Sequence, residues 1–343
     1  MNLAWKEMQR NKSKFLIIGS VIFLISFLTF IISGLAAGLS QDNAALIKNM
    51  PDGQFYIAED ADGSYNFSQI DEKVQGDILE RWDDATSFSI GMGFLNSKVE
   101  TQHSVAFVAS KGSNVFKSVA PGEIILDESM IVEGIKVGDV LTNTQFEGDF
   151  VVKGFVEQSK FSHAPVAFIH PENYSEMYRT NSMQLIFIPG DESIELEGLQ
   201  AFSKADFLNS IPSYNAEQLS LNMIVAFLFV ISGMLIAIFF YMMNVQKIGL
   251  YGILKAIGLK TSTLFKIMWT QMLVITTIAL LLAIVLTQSF NMIAPEGMPY
   301  YLPMDTSWKL SIVFLVIGFV GATISGLQIR KIQPLQAIQQ GEM

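Results

Sequence analysis

Lys14-Phe-Leu-Ile-Ile-Gly-Ser-Val-Ile-Phe-Leu-Ile-Ser-Phe-Leu-Thr-Phe-Ile-Ile-Ser-Gly-Leu-Ala-Ala-Gly-Leu-Ser-Gln-Asp42 decides the fold class. Between its charged ends lie 27 uncharged positions. A helix needs about 20 apolar residues to cross the hydrocarbon core of a bilayer. Three later runs also qualify: Glu217 to Lys247 and Lys266 to Glu296 each enclose 29 uncharged positions, and Lys309 to Arg330 encloses 20. A buried helix of a soluble core is usually well short of 18 such residues. The sequence therefore predicts an integral membrane α-helical protein with four transmembrane helices.

Composition agrees. The 343 residues are 50% hydrophobic and 16% charged, with mean hydropathy +0.39, where soluble domains carry about 25% charged residues. The formal charge of −10 points away from nucleic acid. With no cysteine at all, disulfide scaffolds, thiolate metal sites, cysteine nucleophiles and lipoprotein processing are excluded.

Basic residues close to the span ends set the orientation. Lys6, Arg10, Lys12 and Lys14 face Glu7 alone, and Lys247, Lys255, Lys260 and Lys266 face no acid. Arg330 and Lys331 stand against Glu342. These flanks carry ten basic and two acidic residues, whereas the stretch 42–217 carries 11 basic and 28 acidic. Both termini are expected in the cytoplasm and the acidic stretch outside. The first apolar run exceeds the 7–15 residues of a cleaved signal peptide, so it reads as an uncleaved anchor.

The outside stretch reads as an α+β domain inserted between the first two helices. Phe55 and Ile57, Phe88 and Ile90, and Val105 and Phe107 alternate as strands do. Short apolar runs at Glu123–Leu126, Val137–Leu141, Phe150–Val156 and Pro165–Ile169 are separated by Gly, Asp and Asn. Helices are expected at Gln69–Trp82 and Asn173–Arg179. Leu39, Asn43, Leu46, Ile47 and Met50 continue helical spacing to Pro51, and Asn215 with Gln218 resembles a capping box. Both flanking helices should therefore extend from the bilayer as a stalk holding the domain rigidly.

The expected divisions are 1–14, an amphipathic cytoplasmic segment; 15–50, the first span plus stalk; 51–213, the outer domain; and 214–245, stalk plus second span. The cytoplasmic loop 246–266 follows, then the third span 267–293, an outer loop 294–309, the fourth span 310–329 and a cytoplasmic tail 330–343. Gly34-Leu-Ala-Ala-Gly38, and Gly318, Ala322 and Gly326 beside Gly321 and Ser325, mark close helix contacts.

Much chemistry is absent. No span carries an ionisable residue in its central portion, where self-powered transporters place relays and counter-charges. Gly252 and Gly258 near Lys260 and Thr261 imitate a phosphate loop, but five residues separate the glycines and Leu259 precedes the lysine. Energy must come from another chain or not be used. His103, His163 and His170 lack metal-site spacing and read as solvated loop positions. No catalytic arrangement can be argued, and the chain is expected not to be an enzyme, with no catalytic residue, intrinsic cofactor or bound metal.

The loop is the most informative segment: Lys247-Ile-Gly-Leu-Tyr-Gly-Ile-Leu-Lys-Ala-Ile-Gly258. Positions 250, 253, 254 and 257 give an apolar stripe at helical spacing, and Gly258 is a natural helix stop. Such a helix can lie on the inner leaflet or enter a groove on a soluble partner. Positive-inside topology alone would also explain its charge.

With Leu3-Ala-Trp-Lys-Glu-Met-Gln-Arg-Asn-Lys-Ser-Lys14 and Arg330-Lys-Ile-Gln-Pro-Leu-Gln-Ala-Ile338, the loop and span order resemble the FtsX/MacB-like ABC transporter permeases over the whole chain. Ile248-Gly249 and Leu254-Lys255-Ala256-Ile257-Gly258 match the family's E-I-G-x-x-x-A-x-G pattern, with Lys247 in place of the usual acid. Pro334-Leu335-x-Ala337 matches its P-x-x-A-L ending. The resemblance implies a type VII ABC transporter-like fold, a homodimer in membrane lipid, and a separate ABC ATPase that binds ATP. Lys247, Gly249, Gly252, Lys255, Ala256 and Gly258 would then be coupling residues. Ala4-Trp-Lys-Glu7 and Ser33-Gly-Leu-Ala-Ala-Gly-Leu39 are most similar to the haem-efflux (HrtB-type) permeases of Gram-positive bacteria.

That likeness implies haem as transported substrate, expelled by closure of the stalk. Haem iron takes His, Met, Cys or Tyr. Near the outer membrane face, Met50, Met223 and Tyr214 are the candidates, with Asp42 as oxygen ligand or propionate neighbour. Packing and interface roles compete for each of them. Two other readings are a signalling scaffold that regulates an extracellular hydrolase, and an extractor of peptides or lipoproteins.

Overall fold

The computed structural model describes residues 2–97, 101–295 and 298–331, and no side chain at 2, 3 or 331. Glu296, the side chain of Lys331, Pro334, Leu335, Ala337 and Glu342 lie outside the described residues. In chain order the elements begin with α1 (Asn2–Arg10), α2 (Lys12–Lys48), β1 (Gly53–Ala58), α3 (Glu72–Arg81), β2 (Thr86–Asn96), β3 (Gln102–Gly112) and β4 (Glu123–Asp127). Next come α4 (Ser129–Val132), β5 (Val140–Thr142), β6 (Asp149–Val156), β7 (Lys160–Phe161), β8 (Ala164–Ile169) and α5 (Pro171–Tyr178). The chain finishes with β9 (Leu185–Pro189), β10 (Leu199–Ser203), α6 (Lys204–Ser210), α7 (Pro212–Val245), α8 (Ile248–Ala256), α9 (Thr261–Ile293) and α10 (Met304–Lys331). Two compact units result, one of residues 1–38 and 220–343, the other of 39–219.

In the first unit, α2, α7, α9 and α10 are long and apolar enough to cross a membrane. This is a four-span membrane protein with an inserted α+β domain. The long helices start or end beyond their uncharged runs: α9 begins at Thr261 and α10 at Met304. Small residues let α10 approach two neighbours. A methyl group at Gly321 would stand 3.0 Å from the Gly233 carbonyl oxygen on α7, and one at Gly326 would stand 2.7 Å from Met268 Cε on α9. The glycines of α2 do something else. A methyl group at Gly38 would lie 2.2 Å from Pro299 O, and one at Gly34 2.4 Å from the Tyr300 ring. Tyr301 N–H donates to Gly34 O at 3.0 Å. The pair seats the connection between α9 and α10; the spacing reports a close approach but not which segment makes it.

The inserted unit is built on one mixed sheet ordered β10-β1-β9-β2-β3-β8-β4-β6-β5, with β7 paired to β8. Asn96 also pairs with Thr142, so the six strands from β2 to β5 return on themselves. Successive residues of β3 alternate between two apolar cores: Val105, Phe107 and Ala109 enter one, Ala106 and Val108 the other. In β8, Ala167 and Ile169 join the first, Val166 and Phe168 the second. Strand periodicity thus persists where both faces are buried.

Several expectations change. All six residues of β1 are buried, because β9 and β10 flank it and the core covers it. Neither β9 nor β10 was expected; Leu185-Ile-Phe-Ile188 is a continuous apolar run without the alternation that marks a half-buried strand. Asn215 does not cap α7, which begins three residues earlier with Pro212 at a position that needs no N–H donor. Its amide instead donates to Asn209 O at 2.8 Å. The helix through 39–48 departs from helical geometry at Ala44 (φ −142°, ψ 24°).

Candidate functional site

The loop of residues 247–258 folds as α8, and its end is defined by hydrogen bonds. Gly258 N–H donates to Lys255 O and Leu259 N–H to Leu254 O, both at 3.0 Å, with Gly258 at φ +95°. This is a Schellman motif, whose left-handed position glycine fills without a Cβ clash.

The apolar stripe of α8 is largely exposed, as in a helix that meets a leaflet or a partner. Tyr251 and Gly252 are buried, while Leu250, Ile253 and Ile257 are exposed and Leu254 is half-buried. Polar groups point inward because the adjoining helices offer partners. Tyr251 O–H donates to Asn244 Oδ1 at 3.4 Å, and the buried Asn244 amide donates to Ser325 Oγ at 3.3 Å. Lys255 Nζ donates to Ile329 O at 2.6 Å, capping a carbonyl near the end of α10. Burial lowers the Lys255 and Lys247 ammonium groups from their ordinary range, with Glu7 opposing the shift at Lys247. Gly249 is half-buried and Ala256 exposed. Together the exposed stripe, Ala256 and the exposed Trp5 of α1 give this unit an apolar surface on segments outside the four spans.

Lys247 forms an ion pair with Glu7 of α1. Sequence reasoning missed Glu7 and Gln271, whose buried amide donates to the other Glu7 oxygen at 2.8 Å. The only available signal was a lone acid in a basic N-terminal segment.

Of the four outer candidates, three lie in the inserted unit and are engaged within it. Asp42 accepts from Lys160 Nζ at 3.0 and 3.1 Å. Ser40 O–H donates to the Tyr214 hydroxyl oxygen at 3.2 Å, and Ser40 Oγ accepts from Lys48 Nζ at 2.7 Å. Met50 is buried in the core. Met223 belongs to the membrane unit and is 56% exposed.

An unforeseen polar cluster centres on Asn43, which has no exposed surface. Its amide donates to Glu217 Oε2 at 2.9 Å and meets His163 Nε2 at 3.3 Å, while Ser213 donates to its oxygen at 3.2 Å. Asn43 O accepts from Ser162 N–H at 2.7 Å, beside the irregular Ala44. Ser162 and His163 form the two-residue turn between β7 and β8, both at positive φ (49° and 64°). That is the geometry of a type I′ hairpin without its usual Asn or Gly. His163 is exposed on this turn, as expected, and contacts Asn43 and Glu217 from there. His170 caps α5 by accepting from Glu172 N–H at 3.3 Å, and His103 is buried. Among the described residues no group of three or more His, Asp or Glu could hold a metal ion.

The chain combines four membrane-length helices, an inserted domain and a loop helix, and residues 222–334 match the FtsX-like permease C-terminal family. Over nearly its full length the chain is similar to two staphylococcal proteins named "Putative hemin transport system permease protein HrtB". The one from Staphylococcus haemolyticus is 29% identical over 98% of this chain and 99% of that protein. The one from Staphylococcus epidermidis (strain ATCC 12228) is 28% identical over all of both chains. Among solved structures, the periplasmic region of MacB from Actinobacillus actinomycetemcomitans aligns with TM-score 0.36 and 10% identity, over 48% of this chain and 95% of that one.

Proposed function

We propose that the chain is the non-catalytic membrane subunit of an ATP-driven exporter of haem, working as a homodimer with a separate cytoplasmic ATPase. The observation that carries this reading is end-to-end similarity to permeases named for hemin transport. The absence of ionisable residues from the centres of the spans favours an external energy source. The basic flanks favour cytoplasmic termini, with residues 51–213 outside, and the staphylococcal relatives favour the membrane of a Gram-positive cell.

In this reading α8 receives the ATPase stroke. Leu250, Ile253 and Ile257 would meet the ATPase, and the inward-facing Tyr251, Lys247 and Lys255 would pass displacement to α7, α9 and α10. Only 17% of the most apolar stretch of α7 is buried, against 39% in α9 and in α10, which supports α7 as a surface for a second copy or lipid. Asp42, Tyr214 and Met223 are the proposed haem contacts; Met50 would join them only if its core opened.

The test is purification of tagged permease with the ATPase, followed by addition of haem. Retention of the ATPase and a shift of the haem absorption band are expected. Changing Gly252 and Gly258 to leucine should release the ATPase. No retention and no spectral shift would refute the proposal. Unchanged haem tolerance with altered cell-wall cleavage in a deletion strain would favour a signalling scaffold instead, and ATPase stimulation by peptide alone would favour peptide extraction.

A further inference from the structure

Three segments distant in sequence meet at one carboxylate in the membrane unit. Glu7 of α1 forms an ion pair with Lys247, the residue that opens α8, and accepts from Gln271 on α9. The side chains of Glu7 and Lys247 are only 16% and 12% exposed, and Gln271 is 1% exposed. Lys247 Nζ lies 5.5 Å from the centre of the Phe15 ring on α2. Lys14 beside that ring hydrogen-bonds Gln246. Removing two charges from water costs several kcal/mol per ion before their attraction repays it. Such a pair contributes geometry more than stability.

The geometry here is particular. Glu7 offers one oxygen to the start of α8 and the other to α9, so a single side chain fixes the register of three helices. The linker of residues 257–260 is all that otherwise joins α8 to α9 in the chain. Tyr251 and Leu254 of α8 also share an apolar core with Leu264 and Met268 of α9, and Glu7 adds a polar connection at the start of α8. We propose that Glu7 is a positioning residue of the coupling machinery, transmitting displacement of α8 to α9 through Lys247 and Gln271. This rests on the reading of residues 247–258 as the ATPase contact.

Gln271 allows a charge-swap test. Its Nε2 donates to a carboxylate, and the same amide turned over presents Oε1 to an ammonium. The E7K/K247E variant can therefore keep all three partners satisfied, whereas E7K or K247E alone opposes like charges in a half-dry site.

The complex of full-length permease and ATPase, reconstituted in lipid nanodiscs, is assayed for retained ATPase and for permease-dependent stimulation of hydrolysis. With E7Q, E7K and K247E, retention should stay within about threefold of wild type while stimulation falls about tenfold or more. The double swap should restore stimulation to within about threefold. Wild-type stimulation in E7Q, or a double swap no better than either single variant, overturns the proposal. So does parallel loss of thermal stability, retention and stimulation without recovery in the swap, since that is a folding defect alone. If wild-type permease retains no ATPase, the coupling reading itself fails and Glu7 loses its role with it. Normal wild-type coupling beside a normal E7Q is the separate failure of this inference.

Discussion

Asn43→Ala is the sharpest probe of the inserted unit. The change removes an amide donated to the Glu217 carboxylate at 2.9 Å, its contact with His163 at 3.3 Å, and the acceptor for Ser213 at 3.2 Å. A hydrogen bond to a charged group contributes about 1.5–3 kcal/mol and a neutral one about 1. Glu217 is 17% exposed and recovers little of this from water. The unit should lose about 3–5 kcal/mol. At roughly 2–4 °C per kcal/mol for a domain of this size, its unfolding midpoint should fall by about 10 °C. The Ser162–Asn43 bond uses backbone atoms, so the irregularity at Ala44 should persist.

The assay is fluorescence of full-length protein in detergent, with Trp5, Trp269 and Trp308 changed to Phe so that Trp82 alone reports on the inserted unit. Asn43→Asp supplies the sign check. A carboxylate beside Glu217 would have its folded pKa raised, so its stability contribution is present at low pH and lost as pH rises. That variant should recover on acidification where Asn43→Ala does not. An Asn43→Ala midpoint within about 2 °C of wild type would refute the hub, since one lost hydrogen bond to a charge already predicts more.

Other expectations follow from the same geometry. Gly258→Ala forces a Cβ into a backbone at φ +95° and should cost about 1 kcal/mol, read as faster hydrogen exchange at the amides of residues 258 and 259; unchanged protection would contradict the Schellman cap. Gly38→Ala drives a methyl group into Pro299 O. It should destabilise the membrane unit by about 1–3 kcal/mol and expose residues 298–303 to protease, an effect that Tyr300→Ala cannot relieve because the clash is with backbone; an unaltered digest would show that the glycine does not seat this connection. Phe107→Ala empties a fully buried site and should cost about 3–5 kcal/mol, with Met92→Ala, half-exposed on β2, within about 0.5; equal losses would argue against the core read from β3.

The membrane architecture was legible because an uncharged run is a one-dimensional property, and length alone separates Phe15–Gln41 from a core helix. Strand β3 was legible because alternation survives between two cores. Strand β9 was not, since Leu185, Ile186, Phe187 and Ile188 are all large and apolar and alternate in neither size nor polarity. The Gly34 and Gly38 spacing announced a close approach but could not say that a loop made it. On α8 the periodicity of the apolar stripe was legible, but not the inward partners of Tyr251 and Lys255, which are Asn244 on α7 and the Ile329 carbonyl on α10. The Glu7–Lys247 pair joins positions far apart in the chain, and the Asn43 cluster depends on a Ser162–His163 turn that lacks its usual residues. Neither leaves a local signature.

The central claim is ATP-driven haem export, and inverted membrane vesicles test it most directly. Vesicles containing permease and ATPase are loaded with haem on the outer, formerly cytoplasmic, side and supplied with ATP. The account predicts accumulation of haem in the lumen that requires hydrolysable ATP and disappears when the ATPase subunit is omitted. Equal haem uptake with and without ATP, in vesicles that retain both subunits, would contradict it.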